Sequence, residues 1–138
     1  MKQLPDLELD PSEIIFDEIG AKLRGDGWAH FVTIPGLLKS WRLLASTAAQ
    51  YEYTVDDYTD DLTSRDGLEI ALAECPEPLL AKLKSAVEQA DKEFLAGTQD
   101  DVTHSLEEYF RIRAGWWWRR TPRSGSLAKY LVDMADRD

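Results

Sequence analysis

The sequence predicts a mainly α protein: a single compact domain over residues 1–138, with about five to seven helices and at most a small two-stranded β element. Three observations carry this. Apolar residues recur at the three-and-four spacing of an α-helix through most of the chain. Strand-like alternation is confined to one short stretch. The 138 residues are the usual size of one domain, and no repeat, low-complexity tract or linker interrupts them. With 43% hydrophobic and 30% charged residues, the composition is that of a packed globule rather than a disordered chain.

The elements follow in order. Asp10-Pro11-Ser12-Glu13 reads as a helix start: Asp10 can cap, Pro11 suits the first helical position, and Glu13 lies three residues after the cap. Ile15, Phe16, Ile19 and Leu23 then share one face, and Gly25-Asp26-Gly27 ends the helix. Trp28 to Ile34 alternates and is rich in β-branched and aromatic residues, which fits a short strand or a buried extended linker. After Pro35-Gly36, a helical stripe runs from Leu37 through Trp41 and Leu44 to about Gln50.

A short helix is expected from about Val55 to Leu62, and a second from Ser64 or Arg65 through Leu72. Pro76-Glu77-Pro78 breaks the chain. The clearest helix follows, with Leu79, Leu80, Leu83, Val87, Ala90 and Phe94 on one face and Gly97 placed to cap its end. Thr98 to Thr103 reads as a polar loop. Ser105 to Glu108 has capping-box spacing, and a helix to about Arg113 follows. The tryptophan segment after it has extended character. Pro122 to Gly125 reads as a turn, and Ser126 can cap a last helix bearing Leu127, Tyr130, Leu131 and Met134.

Charge is unevenly placed. The net charge is −10. Residues 1–110 carry 9 Lys+Arg against 23 Asp+Glu, a balance of −14, while residues 111–138 carry 7 against 3, a balance of +4. An acidic body repels nucleic acid and anionic membrane and attracts basic partners. Neither nucleic acid nor membrane is therefore expected as a partner. The single cysteine, Cys75, excludes an internal disulfide and fits a reducing compartment. The first residues lack the apolar stretch of a secretory signal, and no apolar run reaches the length of a membrane span. A cytoplasmic setting is expected.

Motifs that carry chemistry are missing. His30 and His104 belong to no metal-binding spacing. No nucleophile elbow, phosphate loop or dinucleotide fingerprint occurs, and nothing marks Cys75 as activated. No cofactor is implied. The run Gly25-Asp26-Gly27-Trp28 through Ile34-Pro35-Gly36-Leu37-Leu38 resembles the N-terminal lead-in of phytanoyl-CoA dioxygenase-like enzymes. The His-x-Asp that the resemblance would require as iron ligands is absent here, so no role is carried over.

Two stretches remain. Asp56-Asp57 and Asp60-Asp61 stack carboxylates at i,i+4, which is unfavourable unless something compensates. A divalent cation, arginines of this chain and a basic partner are the three candidates. Trp116-Trp117-Trp118-Arg119-Arg120 places three indoles side by side. Extended, Trp116 and Trp118 share one face; helical, the three fan over about 200°. Either way at least one ring is expected to be half exposed, stacked on an arginine, or at an interface. Tryptophan and arginine are both enriched in interface hot spots. An internal role is equally open, with the basic segment folded back over Tyr51–Asp66, pairing arginine with aspartate while the indoles cap the core.

Small size, an acidic body, abundant tyrosine and tryptophan and no catalytic motif resemble bacterial toxin-immunity and other inhibitor proteins as a class. The resemblance implies a non-enzymatic module that neutralises a basic partner, such as a nuclease toxin, through an acidic, aromatic surface. Carried onto this chain, that surface is Tyr51, Tyr53, Asp56, Asp57, Tyr58, Asp60 and Asp61, to which Trp117, Arg119 and Arg120 are added as partner-binding candidates. Two other readings stay open. One is an adaptor or homo-oligomeric subunit working through the Trp-Arg segment. The other is a small metal-dependent enzyme using the aspartates.

Overall fold

A computed structural model describes residues 10–28, 32–102, 104–107 and 115–137. Among them are five α-helices: α1 (Asp10–Gly25), α2 (Ile34–Thr47), α3 (Val55–Glu74), α4 (Leu79–Gly97) and α5 (Ser126–Arg137). Two short strands, β1 (Thr98–Asp100) and β2 (Arg120–Pro122), pair antiparallel with Thr98 opposite Pro122 and Asp100 opposite Arg120. The mainly α expectation, with its small two-stranded element, is what the structure shows. No helix among the described residues is long and apolar enough to cross a membrane.

The centre is α2, which packs against both α3 and α4. Its stripe of Ile34, Leu37, Leu38, Trp41, Leu44 and Ala45 is buried. Trp41 lies fully buried against Phe94 of α4, with ring centroids 4.7 Å apart. Thr33 caps α2, its hydroxyl accepting from the Gly36 amide at 3.1 Å, and Pro35 sits in the first turn as its fixed φ favours. At the end of α1, Gly27 takes φ 107°. The Trp28 amide then donates to Leu23 O and the Gly27 amide to Arg24 O, a Schellman closure that holds Trp28 against the domain.

Two sequence expectations change. The break expected between Leu62 and Ser64 does not occur: α3 is one helix from Val55 to Glu74. Tyr58, Leu62, Arg65, Leu68 and Ala71 form one uninterrupted buried stripe, and that packing overrides the poor helix propensity of Thr59, Thr63, Ser64 and Gly67. The stretch from Trp28 to Ile34, read as a short strand or a buried extended linker, holds no strand among its described residues. Trp28 and residues 32–33 are irregular and Ile34 opens α2, while residues 29–31 lie outside the described residues. The ribbon forms from part of the stretch read as a polar loop, because Arg120–Pro122 supplies its ladder from far along the chain. The helix expected to run to Arg113 lies outside the described residues beyond Glu107, as do the side chains of the cap expected at Asp10–Glu13.

The C-terminal segment is pinned across residues 49–51. The Tyr51 amide donates to Ser124 O, Ser124 N to Ala49 O, and Leu127 N to Tyr51 O. Gly125 makes this possible at φ 101°, and a Cβ there would run into the Tyr51 carbonyl oxygen. Gly125→Ala is expected to cost about 1–3 kcal/mol from backbone conformation alone, more with the clash. Urea denaturation measures it, and an unchanged midpoint would contradict the role.

Candidate partner-binding face

The tryptophan segment is a closing piece of the core. Trp116–Arg119 forms a single 3-10 turn rather than an extended strand. Trp117 and Trp118 are buried, and Trp116 is 37% exposed, so the half-exposed ring is Trp116. Gly115 has no side chain where the Trp117 ring lies against it. Both buried indoles donate to one carboxylate: Trp117 Nε1 and Trp118 Nε1 each lie 2.9 Å from Asp66 Oδ1. The acceptor belongs to α3, so the segment does fold back onto the Tyr51–Asp66 stretch.

An arginine of α3 lies over one of those rings. The Arg65 guanidinium lies 4.4 Å from the Trp117 ring centroid. It is bidentate to Asp91 of α4 at 2.9 and 3.0 Å and bonds Glu69 at 2.8 Å. Asp91 Oδ1 also accepts from Trp41 Nε1 at 2.9 Å. Burial works against the Arg65 charge, but the bonds to Asp91 and Glu69 outweigh it and hold its pKa above the ordinary value. Two ion-bonded nodes, Arg65–Asp91 and Asp66, therefore tie α2, α3, α4 and the tryptophan turn together.

Two arginines of the basic segment, Arg120 and Arg123, bond away from Asp56, Asp57, Asp60 and Asp61. Arg120 bonds Asp100 at 2.9 Å, Thr98 Oγ1 at 3.0 Å, and the carbonyls of Leu95 and Thr98. Arg123 Nε donates to Ala96 O at 3.0 Å. Both serve the corner between α4 and β1. Arg119 is exposed. Among the described residues, no lysine or arginine pairs with Asp56, Asp57, Asp60 or Asp61. Of the internal reading left open by the sequence, the indoles do dock on α3 at Asp66, while Arg120 and Arg123 bond elsewhere.

What compensates the carboxylates is local. Asp56 and Asp57 occupy the first turn of α3, where the helix dipole favours negative charge. Asp57 Oδ2 closes a capping box with Thr54, accepting from its amide and its hydroxyl. Asp61 accepts from the Tyr51 hydroxyl at 2.9 Å. Burial raises the Asp61 pKa, with Asp60 and Asp57 adding repulsion, while the Tyr51 bond pulls the other way. Burial and Asp61 together raise the Tyr51 pKa as well. No group of three or more His, Cys, Asp or Glu among the described residues is arranged to hold a metal ion.

Asp61 gives a pH prediction. Its folded pKa is raised, so its contribution to stability is fully present below the unfolded value and is lost as pH rises through the folded one. Tyr51→Phe removes the bond that favours the charged form and is expected to raise the Asp61 pKa further. Carboxyl NMR titration reads it; a lower Asp61 pKa in the variant would contradict the assignment.

The predicted site residues divide sharply. Tyr51 and Tyr58 are buried in the core, their rings 5.3 Å apart, and the Tyr58 hydroxyl donates to Arg120 O at 2.7 Å. They are corrected from surface to scaffold, because a tyrosine with a backbone or carboxylate partner is satisfied inside. Trp117 is likewise buried, and Arg120 is engaged at Asp100. Tyr53 is 64% exposed and rests its ring edge-on against Tyr51 at 5.5 Å. With Asp56, Asp57, Asp60 and the half-buried Asp61 it forms one acidic ridge. Asp60 and Asp61 turn that ridge into a cleft whose opposite wall includes Asp26 and Trp28.

Sequence reasoning missed Asp26, Trp28, Ser64, Arg65, Asp66 and Asp91. Only Arg65 left a signal, as the lone base in an acidic stretch. Comparison with protein-family models, curated proteins and solved structures gave no match, so geometry and charge carry the functional reading.

Proposed function

We propose that the chain is a non-enzymatic protein-binding module of the immunity or inhibitor type, which neutralises a basic partner such as a nuclease toxin through the acidic ridge of α3. The observation that carries this is the unneutralised row Asp56, Asp57, Asp60 and Asp61, left without basic partners among the described residues although seven Lys+Arg follow in the last 28 residues. A chain that needed only to satisfy its own charges had the cations at hand and used Arg120 and Arg123 elsewhere. Tyr53 adds an exposed aromatic at the end of the ridge. Like charges aligned on one face speed encounter with a basic surface and discriminate against acidic ones.

The alternatives have less support. An adaptor surface built on Trp117, Arg119 and Arg120 would draw on a buried ring and an engaged guanidinium, with Arg119 alone of the three exposed, and a metal-dependent enzyme lacks a converging donor set among the described residues.

The test is capture of the partner from the native host with the full chain, followed by binding and nuclease-inhibition assays on the captured protein. Asp56→Arg with Asp60→Arg is expected to weaken binding by about a hundredfold or more and to abolish inhibition. Both side chains are exposed, so the fold should persist. Equal binding by the reversed variant would remove the reading.

A further inference from the structure

We propose that α5 is a self-association face, on which two copies of the chain pair antiparallel about a two-fold axis. The proposal does not rest on the inhibitor reading and uses none of the ridge residues.

α5 is fastened at its start. The Ser126 amide donates to Glu52 Oε1 at 3.1 Å and the Leu127 amide to Tyr51 O. Leu127 and Leu131 are buried, and the helix packs against β2. That stripe does not use up its apolar side chains. Tyr130 is 48% exposed and Met134 39%. At about 100° per residue the two stack one turn apart, along one side of the Leu127–Leu131 stripe. Scattered apolar residues at a surface are ordinary. Among the described residues, α2, α3 and α4 each expose one large apolar side chain, Leu43, Ile70 and Leu95, whereas α5 exposes Tyr130, Val132 and Met134 within 12 residues.

Charge points to a second copy as what covers them. The chain is −10 overall, and α3 carries seven acids against one base, so two copies repel wherever such faces meet. α5 balances two acids with two bases. Lys129 and Asp133 follow one another along the outer edge of the Tyr130–Met134 strip. Both are exposed, and their charged ends are 3.8 Å apart, a loose pair. A two-fold antiparallel pairing sets each helix edge against its own copy running in reverse. Lys129 of one chain then stands opposite Asp133 of the second copy, the symmetry repeats that pair, and Tyr130 and Met134 fill the seam. The helix has 12 residues and is about 18 Å long, so the pair buries less than the roughly 800 Å² per partner of a stable interface. The dimer is therefore weak, with a Kd on the order of 0.1 mM.

Sedimentation equilibrium of the full chain, from about 0.01 to about 1 mM protein, tests the face, with circular dichroism to verify that each variant is folded. A monomer–dimer equilibrium is expected. Tyr130→Lys and Met134→Lys should each weaken it by about tenfold or more, although both lower the repulsion between copies. Val132→Lys makes the same change in charge on the opposite side of the helix and should alter it by less than about twofold. Lys129→Asp and Asp133→Lys should each abolish self-association, and an equal mixture of those two proteins should restore a dimer, because each edge then meets its opposite charge. A chain monomeric across the whole range overturns the proposal. So does a dimer that survives both Tyr130→Lys and Met134→Lys, or a mixture that associates no better than its components. A dimer lost in the Asp56→Arg, Asp60→Arg protein but kept in the α5 variants also overturns it, by placing the contact on the ridge.

Discussion

Arg65→Met is expected to lower the free energy of unfolding by about 3–5 kcal/mol, the cost of breaking a buried ion pair from one side. Arg65 is 5% exposed. Its guanidinium neutralises Asp91 through two bonds, reaches Glu69, and lies over Trp117. Methionine fills much of the volume but, among the described residues, leaves Asp91 with only the Trp41 indole as a hydrogen-bond donor. An uncompensated carboxylate then sits between α3 and α4. Asp91→Asn keeps an oxygen for Trp41 and Arg65 and is expected to cost less, about 1–2 kcal/mol. Urea denaturation with an unchanged slope separates lost stability from a changed denatured state. A loss below about 1 kcal/mol for Arg65→Met would show that the pair is dispensable.

Asp66→Ala is expected to cost about 2–4 kcal/mol, because two buried indole N–H groups lose their acceptor at once. Trp117 and Trp118 both point at this carboxylate, and their rings close the core where the chain returns toward β2. Releasing them should loosen the whole 3-10 turn, so the change is also expected to shift tryptophan emission to longer wavelength in the folded state. Asp66→Asn retains one oxygen and should fall between wild type and alanine. Native-like emission and stability in the alanine variant would mean that packing alone seats the indoles.

The helices were legible in the sequence where apolar spacing was strong. Leu79 through Phe94 reads directly as α4, and Leu37 through Ala45 as the core of α2. The single α3 was hidden because Thr63, Ser64 and Gly67 weaken its local signal, and only long-range packing of Tyr58, Leu62 and Leu68 restores it. The ribbon was hidden for a similar reason: Thr98–Asp100 has no strand character of its own and is defined by a partner 20 or more residues away. Within the candidate site, the aspartates were legible as a pattern of charge. Which tyrosines stood beside them at the surface was not, because composition gives no sign that the Tyr51 and Tyr58 hydroxyls find Asp61 and Arg120 O inside. The cleft was invisible, since Asp26 and Trp28 meet Asp60 and Ser64 only through the packing of α1 and α2 against α3.

Among the described residues no lysine or arginine pairs with Asp56, Asp57, Asp60 or Asp61, which favours a chain that presents its charge over one that balances it. Arg120 at Asp100 and Arg123 at Ala96 O brace the α4–β1 corner, and the ridge keeps its charge. The most direct measurement of that claim is the association rate with the captured basic partner as ionic strength rises from about 0.01 to about 0.15 M, where the screening length falls from about 30 to about 8 Å. The wild-type rate is expected to drop by about tenfold or more, and the Asp56→Arg, Asp60→Arg variant to be slow and nearly flat. A wild-type rate insensitive to salt, or the same slope in both proteins, would contradict the account.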